Sequence, residues 1–216
     1  MSVLEQEVNE GHFRVAIFGS ARTEPNDAAY NLVHTLAGMI AGAGMDLVTG
    51  GGPGLMDAAS RGYNQAKQNG RQHSIGLNIW LPMEQTDAAH LDIKAEFDHF
   101  SERLDHFIVL SNAFVVASGG IGTVLELFYT WQLAQVRHIQ SKPIILLGDL
   151  WSDLLTWVGD ALLKGGYIDS QDLDPVYSAS SCTEAFEIIT KSYEAYVRGD
   201  ESFCRNYHQY KLKKTV

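Results

Sequence analysis

The chain has 216 residues, of which 45% are hydrophobic and 19% are charged, and its formal net charge is −10 at pH 7. This length and apolar content suit one α/β domain with a sizeable core. The acidic balance argues against nucleic-acid binding, since the basic cluster Lys211, Lys213 and Lys214 stands at the end of the chain. No apolar run is long enough to span a membrane and no secretory signal is visible, so we expect a cytoplasmic protein with no membrane partner.

Strand and helix patterns alternate along the chain. The predicted strands cover residues 14–18, 45–49, 74–81, 93–97, 113–117 and 143–147, with a short edge strand at 176–177. Helix-period patterns follow all of these strands except the third. We expect a flexible segment over 1–12, one domain over 13–199 and a polar tail over 200–216. This order predicts an α/β fold, a Rossmann-like, doubly wound and mainly parallel sheet with helices on both faces.

Three turns rich in small residues fall at the carboxyl ends of predicted strands. They contain Gly19 and Ser20 after the first strand, residues 50–54 after the second, and residues 118–123 after the fifth. Ligands of doubly wound sheets bind outside these strand ends, so we expect the three turns to converge on one pocket. Arg22, in the first turn, is either an anion contact there or an ordinary surface arginine.

The third turn, Ser118-Gly119-Gly120-Ile121-Gly122-Thr123, leads from a buried strand into a helix. Backbone N–H groups and the positive end of the helix dipole then point at one place, which suits a phosphate. Glu126 lies one turn into the helix. It either complements the helix N-terminus electrostatically or acts as a catalytic carboxylate beside a phosphate ester. Neither this turn nor residues 50–54 match the Walker or dinucleotide loops.

Arg103 and three histidines are further candidates with more than one interpretation. Arg103 stands near the start of a predicted helix, where the dipole disfavours a cation. It either holds an anion or pairs on the surface with Glu102 or Asp105. The sequence predicts no metal site, because His90, His99 and His106 lack a matching cysteine or carboxylate spacing. Cys182 and Cys204 likewise form no disulfide framework and no metal spacing.

The turns and Arg103 together resemble the Lonely Guy (LOG) family, which comprises nucleoside-monophosphate phosphoribohydrolases long mislabelled as lysine decarboxylases. The family pattern P-G-G-x-G-T-x-x-E matches Gly119, Gly120, Gly122, Thr123 and Glu126, and the family's arginine, fifteen residues before the Pro position, falls on Arg103. The G-G-G-x-x-G-L-M loop resembles residues 50–56 with one residue fewer, and residues 19–22 fit the first loop. The resemblance covers residues 14–165.

Three positions depart from the family pattern. Ser118 replaces the proline, Leu104 stands where many members have lysine, and Phe107 stands where they have methionine. Serine leaves the turn's donors in place. Leu104 and Phe107 bear on which base is preferred, while Arg103 and Glu126, the residues that members use for chemistry, are retained.

The resemblance implies hydrolysis of the N-glycosidic bond of a nucleoside 5′-monophosphate, which releases ribose 5-phosphate and a free base of cytokinin type or another purine or pyrimidine. Such a reaction passes through an oxocarbenium-like transition state. Arg103 would hold the substrate or stabilise the departing base. Glu126 would hydrogen-bond the ribose hydroxyls, stabilise charge at the anomeric carbon or direct water onto it. The implied phosphate-binding residues are Gly119, Gly120, Ile121, Gly122 and Thr123, and the other substrate-binding residues are Gly19, Ser20, Arg22, Gly51, Gly52, Gly54 and Met56.

The same resemblance bears on cofactors, partners and the competing function. No metal or organic cofactor is expected, and lysine decarboxylation by pyridoxal phosphate would need a lysine that these motifs lack. Family members commonly form homodimers, for which Phe128, Trp131 and Leu133 offer apolar surface. The alternative function is a non-enzymatic nucleotide or molybdenum-cofactor (pterin) carrier on the same fold. Such a carrier needs no Arg/Glu pair, so Arg103 with Glu126 favours the hydrolase.

Overall fold

The chain is built around a seven-stranded, fully parallel sheet in the order β4-β3-β2-β1-β5-β6-β7. The computed structural model describes residues 3–9, 11–68, 72–80, 90–139 and 142–199. The predicted tail over 200–216 lies outside the described residues. The strands are β1 (Arg14–Phe18), β2 (Asp46–Thr49), β3 (Ser74–Ile79), β4 (Ile93–Phe97), β5 (Ala113–Val116), β6 (Ile144–Leu147) and β7 (Val176–Ala179).

Seven α-helices occur in the described ranges and connect or flank these strands. They are α1 (Val3–Asn9), α2 (Ala28–Gly42), α3 (Leu55–Ala66), α4 (Phe100–Leu110), α5 (Ile121–Gln135), α6 (Ser152–Trp157) and α7 (Cys182–Val197). Helices α2, α3 and α7 pack on one face of the sheet, while α1, α4, α5 and α6 pack on the other. The predicted fold class is therefore confirmed.

Alternation along β1 explains how one strand serves both layers. Successive strand residues point to opposite faces of a sheet. Val15 and Ile17 accordingly join the core beneath α2 and α3, and Ala16 and Phe18 join the core beneath α4 and α5. A strand buried on both faces reads as a continuous apolar run, which is why β1 and β5 are visible in the sequence.

The strand order reverses between β1 and β5. From β1 the chain proceeds outward through β2 and β3 to β4 on one side, then crosses to β5 and continues outward through β6 to β7. Connections after β1 and after β5 therefore leave the sheet in opposite directions, and a crevice opens between them. The turns that carry Gly19 and Gly119 border this crevice.

Two parts of the chain differ from the sequence prediction. Residues 1–12 are predicted to be flexible, yet α1 lies within them and places Glu7 and Val8 in buried positions. The helix-period pattern after the strand predicted at 143–147 forms a 3₁₀ turn (Asp149–Trp151), α6 and a π-helical run (Val158–Leu163) rather than one continuous helix. Bonds spanning five residues, such as the Tyr167 N–H to the Leu162 carbonyl at 2.9 Å, replace the α-helical pattern there.

The apolar residues proposed for a dimer contact are largely used by the core. Trp131 is only 6% exposed, and its Nε1 donates to the Asp172 carbonyl at 2.7 Å. Phe128 and Leu133 pack partly buried against the same core. The exposed apolar residues of α5 are instead Ile121, Leu125 and, just after the helix, Val136.

Across the described ranges, no helix combines the length and the apolar character needed to cross a bilayer.

Candidate active site

The turns after β1 and β5 meet at the crevice through a backbone hydrogen bond. The N–H of Ser20 donates to the carbonyl of Ser118 at 3.0 Å. The carbonyl of Ser20 in turn accepts from the N–H of Leu55, the first residue of α3, at 2.9 Å. Ser20 therefore ties together all three turns that the sequence predicts to converge.

The turn after β5 leaves the N-terminus of α5 open to solvent. Gly120, Ile121 and Gly122 are exposed, and Thr123 is buried beneath them. The first turn of a helix carries backbone N–H groups without intrahelical acceptors, so an anion placed here gains hydrogen bonds and favourable dipole energy. Residues 120–122 have the geometry of an accessible anion site.

Arg103 of α4 reaches across to Glu126 of α5. Its Nη1 donates to Glu126 Oε1 at 3.2 Å, and its Nε donates to the carbonyl of Leu77 in β3 at 2.7 Å. The guanidinium carbon also lies 5.1 Å from the centroid of the Phe107 ring, one helical turn further along α4. Contacts from α4, α5 and β3 thus fix the direction of the Arg103 side chain.

Both members of the pair are almost completely withdrawn from water. Arg103 is 8% exposed and Glu126 is 9% exposed. Burial raises the pKa of Glu126 to about 7, although the neighbouring Arg103 opposes this rise. Burial also lowers the pKa of Arg103, which nevertheless stays protonated because an arginine titrates so far above neutrality. Such a carboxylate is close to its titration point at neutral pH, as a group that exchanges protons or responds to nearby charge requires.

The glycine at position 50 makes room for the guanidinium. A Cβ at this position would collide with Arg103 Nη2 and would lie 2.6 Å from Met56 Sδ. Any side chain there would therefore displace the arginine or the methionine. The loop after β2 thus forms one wall of the site, with Met56 beside Gly50 and Gly52.

The helices that carry the pair are joined by a second contact. The hydroxyl of Tyr129 on α5 donates to Asp105 Oδ1 on α4 at 2.5 Å. Asp105 lies two residues after Arg103, and Tyr129 lies three residues after Glu126. This bond therefore links α4 and α5 close to the Arg103–Glu126 pair.

The residues predicted for the site separate into two groups. The structure brings together Arg103, Glu126, Met56, Gly50 and Gly52, whereas Gly51 faces Gly76 and Leu91 and Gly54 faces Ser20 and Ala21. It also joins Ser20 to the turn after β5. Arg22 is exposed, and its backbone N–H donates to Ser20 Oγ at 3.0 Å. Asp57, in the first turn of α3, accepts from Tyr30 at 2.9 Å and from Arg61 at 2.7 Å.

Sequence reasoning missed three contacts that support the Arg103–Glu126 pair. The carbonyl of Leu77 is a backbone acceptor, so no side chain marks it. Phe107 has the four-residue spacing that places it beside Arg103 on a helix, but an apolar residue there reads equally well as core. The Tyr129–Asp105 bond joins two helices and has no local sequence signature.

The distance along α5 from its open N-terminus to the Glu126 carboxylate sets the size of a ligand that would contact both. Glu126 is five residues after Ile121, which corresponds to about 7.5 Å along a helix axis. An anion at the helix start and a group reacting beside Glu126 would therefore be separated by the length of a small sugar. The site suits a phosphorylated sugar whose far end meets a carboxylate and a guanidinium.

Comparison with known proteins adds sequence relatives and structural neighbours. Residues 56–190 match the family model described as "Possible lysine decarboxylase". A probable cytokinin riboside 5′-monophosphate phosphoribohydrolase of Oryza sativa subsp. japonica is 34% identical over 127 residues, which is 56% of this chain and 49% of the rice protein. The chain thus spans about half the length of the curated relative it matches.

The structural neighbours include molybdenum-cofactor proteins. The molybdenum cofactor binding protein of Rippkaea orientalis is 21% identical with a TM-score of 0.63, over 83% of this chain and 96% of that one. The molybdenum-cofactor carrier protein of Chlamydomonas reinhardtii is 23% identical with a TM-score of 0.62, over 85% and 98% of the two chains. At these identities the likeness concerns the fold alone.

The raised pKa of Glu126 predicts a pH-dependent stability. Below pH 4.5 the carboxyl is protonated in both states, whereas between pH 4.5 and about 7 only the unfolded state releases its proton. The free energy of unfolding therefore falls as pH rises through this window, by on the order of 2–3 kcal/mol. Urea unfolding at several pH values measures the slope, and Glu126→Gln should remove this part of it. Parallel curves for the two proteins would contradict the assigned burial of the charge.

Proposed function

The chain belongs to the LOG-type family whose model is described as "Possible lysine decarboxylase", and from this we propose that it is a nucleoside 5′-monophosphate phosphoribohydrolase. The observation that carries the proposal is the buried Arg103–Glu126 pair, 3.2 Å apart, beside the open N-terminus of α5. The relationship to the rice phosphoribohydrolase supports the same reaction class.

The proposed substrate pose follows from the two ends of the site. The 5′-phosphate binds the N–H groups around Gly119–Thr123, and the ribose lies along the first turns of α5. The anomeric carbon then faces Glu126. The loop containing Gly51, Gly52 and Gly54 contacts the ribose hydroxyls. The turn at Gly19 and Ser20 forms the opposite wall of the site.

In the proposed chemistry, charged side chains lie beside the substrate atoms on which charge develops during cleavage. Cleavage of the N-glycosidic bond builds positive charge on the sugar ring and negative charge on the leaving base. Ionised Glu126 stabilises the ring charge or orients the attacking water, and Arg103 stabilises the base as it departs or holds the substrate. A charge already aimed in a site with little water stabilises the transition state by several kcal/mol. We expect activity in the cytoplasm on a free nucleotide, with no metal or organic cofactor required for this step.

The carrier alternative predicts binding without turnover. The molybdenum-cofactor proteins share the fold, and a pterin phosphate would suit the same helix N-terminus. A carrier has no need of a buried arginine–carboxylate pair, which is costly to bury and has no role in simple phosphate binding. The pair therefore favours the hydrolase.

Release of free base from AMP, GMP, CMP and isopentenyl-AMP tests the proposal. The native chain should release base from at least one of them, and Glu126→Gln and Arg103→Lys should each lower kcat/KM at least about 100-fold, because each removes a fixed charge or its geometry. Glu102→Gln and Arg61→Lys, which change the same groups elsewhere, serve as matched controls. Binding of nucleotide or pterin without base release would establish the carrier instead.

The Tyr129–Asp105 hydrogen bond should affect the reaction rate only by positioning Arg103 and Glu126. Removing the hydroxyl in Tyr129→Phe frees α4 relative to α5, so the Arg103–Glu126 geometry loosens. We expect kcat/KM to fall about tenfold, since small displacements of catalytic groups are costly. Tyr167→Phe is the control, because Tyr167 is 78% exposed. Unchanged kinetics in Tyr129→Phe would show that the bond does not position the pair.

We also propose that the protein forms a homodimer. Ile121 is 86% exposed and Leu125 is 45% exposed, so α5 presents apolar surface beside the site. Analytical ultracentrifugation at micromolar concentration should give the mass of two chains, and Leu125→Glu should give one. A native protein that sediments as a single chain would refute the dimer, and Val197→Glu, at an exposed position at the end of α7, controls for the added charge.

A further inference from the structure

A second buried cluster of charged residues lies at the amino ends of the strands, opposite the candidate active site. Arg14 and Asp46 are the first residues of β1 and β2 and are register partners. His73 immediately precedes β3, His12 precedes β1, and Glu7 enters from α1. This cluster is separate from the candidate active site, which lies at the carboxyl ends of the strands.

The two carboxylates of the cluster share one guanidinium. Arg14 Nη2 donates to Glu7 Oε2 at 2.7 Å, and Arg14 Nε lies 3.3 Å from Asp46 Oδ2. Each carboxylate also has a histidine: His12 Nδ1 lies 3.0 Å from Asp46 Oδ2, and His73 Nδ1 lies 2.9 Å from Glu7 Oε1. The backbone N–H of His73 donates to Asp46 Oδ1 at 3.0 Å.

The cluster buries two carboxylates and one guanidinium. The side chains of Glu7 and Asp46 are 5% and 2% exposed, and that of Arg14 is 2% exposed. With both carboxylates ionised against one guanidinium, one negative charge is left for a protonated histidine or a bound cation to balance. Burying an uncompensated charge is strongly unfavourable, so the cluster favours an additional positive charge.

Three donor atoms of the cluster lie close enough together to hold one metal ion. Single donor atoms of Glu7, His12 and Asp46 lie within 4.8 Å of one another. His73 Nδ1 is buried beside Glu7 Oε1, yet its geometry is not that of a hydrogen bond, and it has no such partner in the described part of the chain. Two donor atoms that are adjacent but not aimed at each other are typical of two ligands of one ion. In tetrahedral zinc sites neighbouring ligand atoms are about 3.3 Å apart.

We propose that Glu7, His12 and Asp46, with His73 as the fourth ligand, form a Zn²⁺ site. Imidazole together with carboxylate selects zinc-like divalent ions over Mg²⁺ and Ca²⁺, which prefer oxygen ligands throughout. Arg14 holds Glu7 Oε2 and thereby orients Oε1 toward the site. The ion fastens α1 to the start of β1 and β2.

The consequence of zinc binding is stabilisation of a helix that touches the active-site layer. Val8 of α1 belongs to the same core as Phe107 and Ile108 of α4. Zinc therefore secures the packing beneath the helix that carries Arg103. This inference does not depend on the proposed hydrolase activity.

Zinc titration of the full chain tests the site after treatment with a chelator and its removal. Calorimetry should show one equivalent of Zn²⁺ bound, and the unfolding temperature should rise by at least about 5 °C at saturation, with no rise for Mg²⁺. Co²⁺ should give the visible absorption of a four-coordinate site. His12→Asn and His73→Asn should each weaken binding at least about tenfold, and both are partly exposed positions whose replacement leaves the core intact.

The surface variant His138→Asn is the matched control and should bind like the native chain. Equal affinity in His12→Asn, His73→Asn and the native chain would place the zinc elsewhere and overturn the proposal. Absence of any zinc-dependent rise in unfolding temperature would overturn it as well. Selective loss of binding in the two variants would support it.

Discussion

The buried contact between Arg103 and Glu126 is the constraint on which the site depends. A guanidinium and a carboxylate removed from water lose hydration that one 3.2 Å hydrogen bond does not fully replace. The pair persists because other groups hold the arginine: the Leu77 carbonyl takes a second donor and the Phe107 ring lies beside the guanidinium carbon. Gly50 leaves the space that the remaining nitrogen occupies. Each of these groups comes from a different element, so the whole layer must be assembled before the pair exists.

The sheet topology explains why those elements meet at one place. The strand order reverses between β1 and β5, which makes their following turns neighbours without crossing chains. The bond from the Ser20 N–H to the Ser118 carbonyl joins the turns directly, and Leu55 brings in the start of α3. An anion at α5 is thereby surrounded by three turns, although these turns are up to about a hundred residues apart in the chain.

The features of this protein that can be predicted from its sequence are those encoded by residues close together in the chain. The continuous apolar runs of β1 and β5 and the glycine turns after them establish a doubly wound sheet, because burial on both faces and close backbone approach each need particular residues at consecutive positions. Arg103 and Glu126 were found through motif spacing. Their mutual contact, the acceptor at Leu77 and the Tyr129–Asp105 bond depend on how α4 and α5 pack, which no single window of sequence encodes. Trp131 illustrates the same limit, since helical periodicity cannot distinguish a residue packed against the 3₁₀ region near Asp172 from one facing a partner.

The two buried charged clusters differ in a way that separates their roles. At the carboxyl ends of the strands, one arginine meets one carboxylate, and the open helix N-terminus beside them offers a place for a further negative group. At the opposite ends, one arginine meets two carboxylates, and the histidines beside them offer nitrogen ligands for a further positive group. The open helix N-terminus therefore favours an anionic ligand at the first cluster, and the grouping of carboxylate and imidazole donors favours a cation at the second. The residues of the second cluster come from positions 7, 12, 46 and 73 and share no motif, so only the pairing of β2 with β1 and β3 and the docking of α1 bring them together.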